Sequence, residues 1–545
     1  MKERGRLLKP GRRERRGRRI ALGIAAILTA LGLGMAGTLG GCATHRRAPV
    51  VVIGLDGADW DLLVPWMEAG ELPNLKAFLS GAVLGDLTTV QPILSPVCWT
   101  SAFTGVNPGK HGIYDFQKED PDGGELLIET ATNRRALPIW MLLSDAGFRV
   151  AILNVPMTYP PDPVRGVMAS GFPYPAGDVN ITYPPELQAA LGKYPLDFLG
   201  LTLFKRTQEQ LYAGFLAGQE ARGRVFLDWI RSKKYDFLWV VFTTPDQVQH
   251  FFWKDMDPNH PRHTAESAAK FGGAILEVWR RQDRILGDVL GALPKDATVM
   301  ILSDHGFDAI YRQVNLANWL PTTPLPKWLE TYAIPKLRVT NGLLHHTLEG
   351  KVPGSSDREV FLDKFTALCR DLTDPKTGLH PFEKISRREE IYQGRMLEKA
   401  PDLVFQETPK YYVTKGNPDS TGLAPVTDIW STSFSAYHRP EGILALRSPS
   451  LPAVAPGSVR ERLARGGDFR DARILDVAPT LLALMAQTVP DEMDGRVLEE
   501  VLRPEFLAGN PIRRERVEGF LLDRLPPSKL SPEEKERLQA LPYLQ

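Results

Sequence analysis

The chain has 545 residues, 43% of them hydrophobic and 24% charged, with three cysteines, a composition that excludes wholesale disorder, a disulfide framework and a Cys-x-x-Cys metal knuckle. Its formal net charge of +1 hides an asymmetry, because residues 1–19 carry ten Lys or Arg against Glu3 and Glu14, a surplus of eight. Without residues 1–41 the charge is 1 − 8 = −7, so bulk charge gives no reason to expect a nucleic-acid partner.

The basic start runs into the uncharged, Ala-, Leu- and Gly-rich stretch Ile20–Ala43, which contains Leu39-Gly40-Gly41-Cys42. That ending resembles the bacterial lipobox. It implies an export segment over 1–41, cut before Cys42, which is then acylated and holds the domain to a membrane on the periplasmic or extracellular face. An uncleaved anchor is the alternative, since the stretch is long enough to span a bilayer. Residues 42–48 read as a linker.

Residues 49–309 read as the first part of an α/β core. Pro49–Leu55 is a continuous apolar run with β-branched residues, the pattern of a buried parallel strand, and it ends in Asp56-Gly57. A carboxylate there lies on the edge of the sheet where open α/β folds bind ligands. Helices are expected over Trp60–Ala69 and Leu72–Leu79, then a strand over Val83–Thr89. Ser95-Pro96 follows, with Pro suited to a first helical position. The Ser95 hydroxyl then lies where backbone N–H groups and the helix dipole favour a phosphate, which marks it as a candidate nucleophile. Thr100, deeper in the helix, is the fallback, and Cys98 reads as a small buried hydrophobe.

Phe148–Asn154 is another buried strand. Residues 155–205, dense in Pro, Gly and Tyr, read as loop over the edge of the sheet, and Gln208–Arg231 as a long amphipathic helix. The β-rich run from Tyr235 breaks at Thr244-Pro245. Asp246 and His250 follow four residues apart, so a helical turn puts both on one face, where they can grip one ion. Glu266–Leu293 reads as one long helix and Ala297–Leu302 as a strand that ends in Ser303-Asp304-His305-Gly306. Asp304 and His305 can share a metal if the backbone turns there, which Gly306 permits.

From residue 310 to 427 the pattern degrades into Pro-rich pieces, a helix over Asp357–Leu372 and Ala400–Phe405, which could re-enter the sheet. This is expected to be an inserted cap or lid. His260, His263, His345, His346 and His380 read as solvated surface residues. The core resumes over 428–500: His438 lies in a polar turn before a strand, and Ile474–Met485 is a helix with Asp476 near its start. Residues 501–545 are a charged tail with a final helix from Pro532.

In this order, Asp56 after a strand, Ser95 before Thr104-Gly105, His111-Gly112-Ile113, Asp246-x-x-x-His250, Asp304-His305-Gly306, His438 and Asp476–Thr480 through Asp494-Gly495 resemble the alkaline phosphatase superfamily. The similarity is greatest to its type I phosphodiesterase and nucleotide pyrophosphatase branch. It covers roughly residues 48–310 and 390–500. It implies an alkaline phosphatase-like three-layer α/β core with a mostly parallel central sheet, and metal-dependent hydrolysis or transfer of phosphate esters. The asparagine that holds a phosphate oxygen in that branch falls on Phe116 here, which leaves diester against monoester preference open. The sulfatase relatives need an Arg that the Ser95–Trp99 stretch lacks.

The ligand chemistry supports the same assembly. Asp246, His250 and His438 form one expected pocket, and Asp56, Asp304 and His305 the other. Mixed imidazole and carboxylate ligands suit two divalent ions, zinc first, with manganese or iron also allowed. The resemblance places Ser95 on the Asp56 metal, attacking phosphorus to give a phosphoseryl intermediate. The expected partner is a small phosphate ester or nucleotide. The alternatives are a phosphomonoesterase, a lipid or glycan head-group phosphotransferase of the same superfamily, and a metal-binding lipoprotein without turnover.

Overall fold

The computed structural model describes residues 47–522 apart from 120–125, 176–178, 193, 196–205, 316–336, 341–342, 347–354, 415–423, 431–432 and 455. The export segment and the expected helix from Pro532 therefore lie outside the described residues. In chain order the strands that place the site are β1 (Val50–Leu55), β2 (Val83–Thr88), β3 (Val150–Leu153), β4 (Gly166–Ala169), β5 (Thr182–Tyr183), β6 (Phe237–Phe242), β7 (Thr298–Leu302), β8 (Gly306–Ala309), β9 (Ala436–Arg439) and β10 (Glu441–Arg447).

Strands that are apolar at every position need cover on both faces. β1, β3, β6 and β7 are buried along their whole length and lie in the interior of an eight-stranded sheet, in the order β2-β10-β7-β1-β6-β3-β4-β5. The run β7-β1-β6-β3-β4 is parallel, whereas β10 is antiparallel to both β7 and β2, and β5 to β4. The sheet is thus mostly parallel, as the apolar runs imply. β8 and β9 pair with each other, antiparallel, with Phe307 opposite His438.

Helices cover both faces: α1 (Trp60–Glu68), α2 (Pro73–Leu79), α3 (Ser95–Thr104), α4 (Gln208–Arg231), α5 (Thr244–Met256), α6 (Ala265–Phe271), α7 (Ala274–Ala292) and α8 (Val477–Leu484). Alternation along β1 sorts them. Val50 and Val52 point into a core with Trp99 and Phe103 of α3 and Leu481 of α8. Val51, Ile53 and Leu55 point into another, with Phe215, Phe226, Val248 and Trp279 of α4, α5 and α7. This is a helix, sheet, helix sandwich.

Four expectations need correction. The stretch 155–205 carries β4 and β5, which extend the sheet, besides loop. The single helix over Glu266–Leu293 is two, because Gly272-Gly273 ends α6 before α7 begins. Leu403–Glu407 does not enter the main sheet: it pairs antiparallel with Phe382–Arg387, and Phe382, Ile385, Leu403 and Phe405 of the two strands bury their side chains in one separate apolar cluster. Finally, His260 is 3% exposed and its Nε2 lies 3.0 Å from Ser435 O, so it braces the approach to β9 and is not solvated.

Between β8 and β9 the described residues form a smaller apolar cluster, with Leu362, Phe365, Phe382, Leu403, Phe405 and Val413 at its centre. Its neighbouring turn packs on α3 at both ends. Tyr392 OH donates to Gln91 O before the helix, and Met396 N–H donates to Gly109 O after it. α3 ends at Gly105, with φ of 68°, and its following turn is fixed by Asp494, which accepts from Asn107 N and Nδ2 and pairs with Lys110 Nζ. We predict that Asp494→Ala lowers unfolding stability by about 1.5–3 kcal/mol, the scale of lost hydrogen bonds to a charged group. Denaturant melts of the two proteins check this, and an unchanged midpoint would refute it.

Candidate metal centre

The parallel strands end at one edge of the sheet and deliver acids and imidazoles there. Asp56 follows β1, Asp304 and His305 follow β7, and α5, after β6, carries Asp246 and His250 one turn apart. His438 comes from β9, which is hydrogen-bonded to β8 just past His305. Ser95 is the first residue of α3 and is buried, its Oγ 3.4 Å from His305 Nε2.

Backbone carbonyls determine the tautomers. His250 Nδ1 lies 2.9 Å from Ala436 O, His305 Nδ1 3.1 Å from Gly306 O, and His438 Nδ1 2.7 Å from Ile93 O. A carbonyl oxygen only accepts, so each Nδ1 carries a proton, and in the neutral ring the bare lone pair lies on Nε2. Those lone pairs converge on one another and on carboxylates. His438 Nε2 is 3.1 Å from His250 Nε2, and both lie within 3.3 Å of Asp246 Oδ1. His305 Nε2 is 3.3 Å from Asp304 Oδ2 and 3.6 Å from Asp56 Oδ1.

Asp56 Oδ1, Asp246 Oδ1 and both Asp304 carboxylate oxygens are buried without a hydrogen-bond partner. Acceptors facing acceptors repel, and buried polar atoms normally find partners, so the donor set fits divalent cations. Two groups have all their ligand atoms within 4.8 Å: Asp246, His305 and His438, and Asp56, Asp304 and His305. His305 thus reaches both groups, beyond the single pocket expected for it, and its ring stacks on that of His438 at 3.7 Å.

The charges match. Burial, then the neighbouring Asp304 and Asp246 carboxylates, push Asp56 well above its ordinary pKa, and burial followed by Asp246 does the same to Asp304. Burial alone would also raise Asp246, but in the metal-free fold His250 and His438, when protonated at Nε2, hold it below the carboxylate range. His305 is lowered by burial and by His438.

Several supporting groups were not singled out in the sequence. Trp99 Nε1–H donates to Asp56 Oδ2 at 3.0 Å. Asp59 caps α1 through Asp61 N–H and accepts from Phe307 N–H, which ties β8 to the start of that helix. An Asp just before a helical run is a readable cap, but its second bond is long-range. Gln249 Nε2 donates to Gly57 O, and a side chain at Gly57, with φ of +69°, would press on Asp246 Cα at 3.2 Å.

Around Ser95, Thr100 Oγ1 donates to Pro96 O at 2.6 Å inside α3, and burial raises the Cys98 thiol well above its usual range. The expected free N–H groups beside Ser95 are corrected: Pro96 has none, and Val97 and Cys98 N–H both donate to Leu94 O. Phe116 lies in the same apolar cluster as Leu94 and Val97 and stacks on Phe172. His111 is buried, its Nε2 3.0 Å from Ser101 Oγ and its Nδ1 accepting from Ile113 N–H, so it is a brace.

The family model described as type I phosphodiesterase / nucleotide pyrophosphatase matches residues 50–430, more than half of the chain. Among solved structures, phosphonoacetate hydrolase from Sinorhizobium meliloti 1021, in complex with phosphonoacetate, is similar with a TM-score of 0.51 and 16% identity, covering 79% of this chain and 94% of its own. Murine ectonucleotide pyrophosphatase/phosphodiesterase 5, an inactive form in complex with AMP, gives 0.52 and 15% over 84% of this chain and 100% of its own. The human counterpart gives 0.50 and 14% over the same shares. At these identities the likeness is one of fold. No curated protein matches the chain.

Because the raised acids repel each other when ionised, we predict that the chelator-stripped protein melts below the zinc-loaded one. Their folded pKa values lie above the ordinary 3.8, so in the metal-free fold their ionisation costs stability as pH rises above that value, while metal binding requires them ionised. The gap in Tm should therefore widen from about pH 5 to about pH 8. Calorimetric melts test this; a gap that is absent or narrows would refute it.

Proposed function

As the chain belongs to the type I phosphodiesterase/nucleotide pyrophosphatase family of phosphohydrolases, we propose that it cleaves small phosphate esters or nucleotides through a phosphoseryl enzyme formed on Ser95. The observation that carries this is the pair of acceptor-only clusters, with three imidazoles locked Nε2-inward beside the serine hydroxyl. Asp246, His250 and His438 would hold one ion, and Asp56, Asp304 and His305 a second, zinc in the first place. Bound divalent ions lower the pKa of hydroxyl groups and offset charge on the leaving oxygen.

The Ser95 hydroxyl gives up its proton and Oγ attacks phosphorus; the Oγ–P bond forms, the ester P–O bond breaks, and its electron pair leaves with the alcohol oxygen, which takes up a proton. Water then attacks phosphorus, the Oγ–P bond breaks, and a proton from that water returns to the serine oxygen while phosphate leaves. With the Val97 and Cys98 amides spent on Leu94 O, the negative charge on the phosphoryl oxygens would be offset by the cations that the carboxylates and imidazoles would hold, helped by the positive end of the α3 dipole.

We expect Ser95→Ala to lower turnover by a factor on the order of 10² or more while the protein stays folded, and Thr100→Ala to cost far less. Hydrolysis of nitrophenyl phosphate and bis-nitrophenyl phosphate, with acid trapping and peptide mapping of the phosphoenzyme, measures this. A label on Thr100 would refute the assignment.

We infer further, from the basic start, the apolar stretch and the lipobox-like ending, that Cys42 is acylated and that the domain faces away from the cytoplasm. Cys42→Ala should then leave an unprocessed or unlipidated precursor. Unchanged size and membrane fractionation would favour an uncleaved anchor.

A further inference from the structure

Trp99 lies four residues after Ser95 on α3, so both side chains leave the same face of the helix. It is fully buried, and its ring lies along β1. The indole Nε1–H donates to Asp56 Oδ2 at 3.0 Å, and the far end of the ring lies over Gly54, where a Cβ would sit 2.5 Å from Cη2 and 3.1 Å from Cζ3. Gly54 lies on the face of β1 that Val50 and Val52 turn toward α3, and Asp56 comes directly after the strand, so one indole spans both. This accounts for the glycine in an otherwise β-branched and aliphatic strand: any side chain there would displace the ring. The other carboxylate oxygen of Asp56, Oδ1, has no partner and faces His305 Nε2 at 3.6 Å.

We propose that Trp99 is a positioning residue for the metal centre. Its N–H engages one oxygen of Asp56, turns the carboxylate so that Oδ1 alone faces the cation, and couples the rotation of that ligand to the helix that carries Ser95. A buried carboxylate without this bond would be free to rotate or to present both oxygens, changing both the ion's coordination and its distance from the serine. Thr100 and Cys98, on the same helix, make no comparable link: one hydroxyl returns to Pro96 O, and the thiol lies 3.9 Å from Pro92 O.

The proposal rests on the two-ion reading and is tested so that the two can fail separately. Zinc is titrated into the metal-free full-length protein and into Trp99→Phe, with a competing chelator to report each affinity. Two zinc ions are expected in wild type. In the variant one affinity should fall about 10–100-fold, the usual consequence of losing a hydrogen bond to a metal ligand, and the other should stay near wild type. A residue that only fills space would lower the melting temperature of the metal-free protein and leave both zinc affinities alone; that result overturns the proposal. A wild type that binds no zinc overturns the metal reading itself, and the proposal with it. If Trp99→Phe does not fold, a benzothiophene isostere at position 99, which keeps the shape and removes only the donor, gives the same comparison.

Discussion

The arrangement everything else serves is a set of lone pairs held against each other. Three imidazoles are oriented by backbone carbonyls from three different segments, Ala436, Gly306 and Ile93, so that each neutral ring turns the lone pair of Nε2 toward its neighbours. Around them stand carboxylate oxygens that burial and mutual repulsion disfavour as anions. Such a cluster persists only if the surrounding structure over-determines it, and the rest of the fold can be understood as that surrounding structure.

The parallel sheet provides the first layer of constraint. Strands that run the same way finish together, so Asp56, Asp304 and the start of α5 reach one edge without any long loop. The second layer is the β8–β9 pair, which folds His438 back over that edge and is bonded to α5 through Ser435: Ser435 N–H and Oγ both donate to His250 O. Asp59 adds a third connection, from the start of α1 to Phe307. Each brace joins segments far apart in sequence, so a local change at any of them is felt at the centre.

That range explains what was legible in the sequence and what was not. Apolar runs ending in Asp or His announce buried strands with candidate ligands at their ends, and the i, i+4 spacing of Asp246 and His250 announces a helix face; β1, β6, β7 and α5 lie where those patterns place them. The family resemblance is likewise carried by short motifs, and it holds over residues 50–430. Harder to read were interactions without a local pattern: His260 looks like any polar histidine until it meets Ser435, and Trp99 looks like core filling until its N–H finds Asp56. The short strands β4 and β5 were hidden by their Pro- and Gly-rich surroundings, because an added edge strand needs a neighbour more than it needs a pattern. The double glycine after α6 was visible, but the amphipathic pattern on either side of it conceals the break.

The helix that carries Ser95 is held in two different ways, along its length and at its ends. All ten residues of α3 are buried; the Thr100 and Thr104 hydroxyls are used within the helix, on Pro96 O and Thr100 O, and the Ser101 hydroxyl meets His111 Nε2. A helix with no solvated face cannot tilt without opening the core, so the position of the Ser95 hydroxyl is tied to that of the sheet. Its two ends, by contrast, are contacted by the segment inserted between β8 and β9, through Tyr392 at Gln91 and Gln393 and Met396 at the Asn107–Gly109 turn. A side chain at Gly109 would meet Gln393 O at 2.5 Å, so this contact is backbone against backbone and tolerates little slippage. The segment between β8 and β9 therefore adjoins the acid and imidazole cluster through the same helix that carries Ser95, while its own apolar cluster is built from residues outside that set.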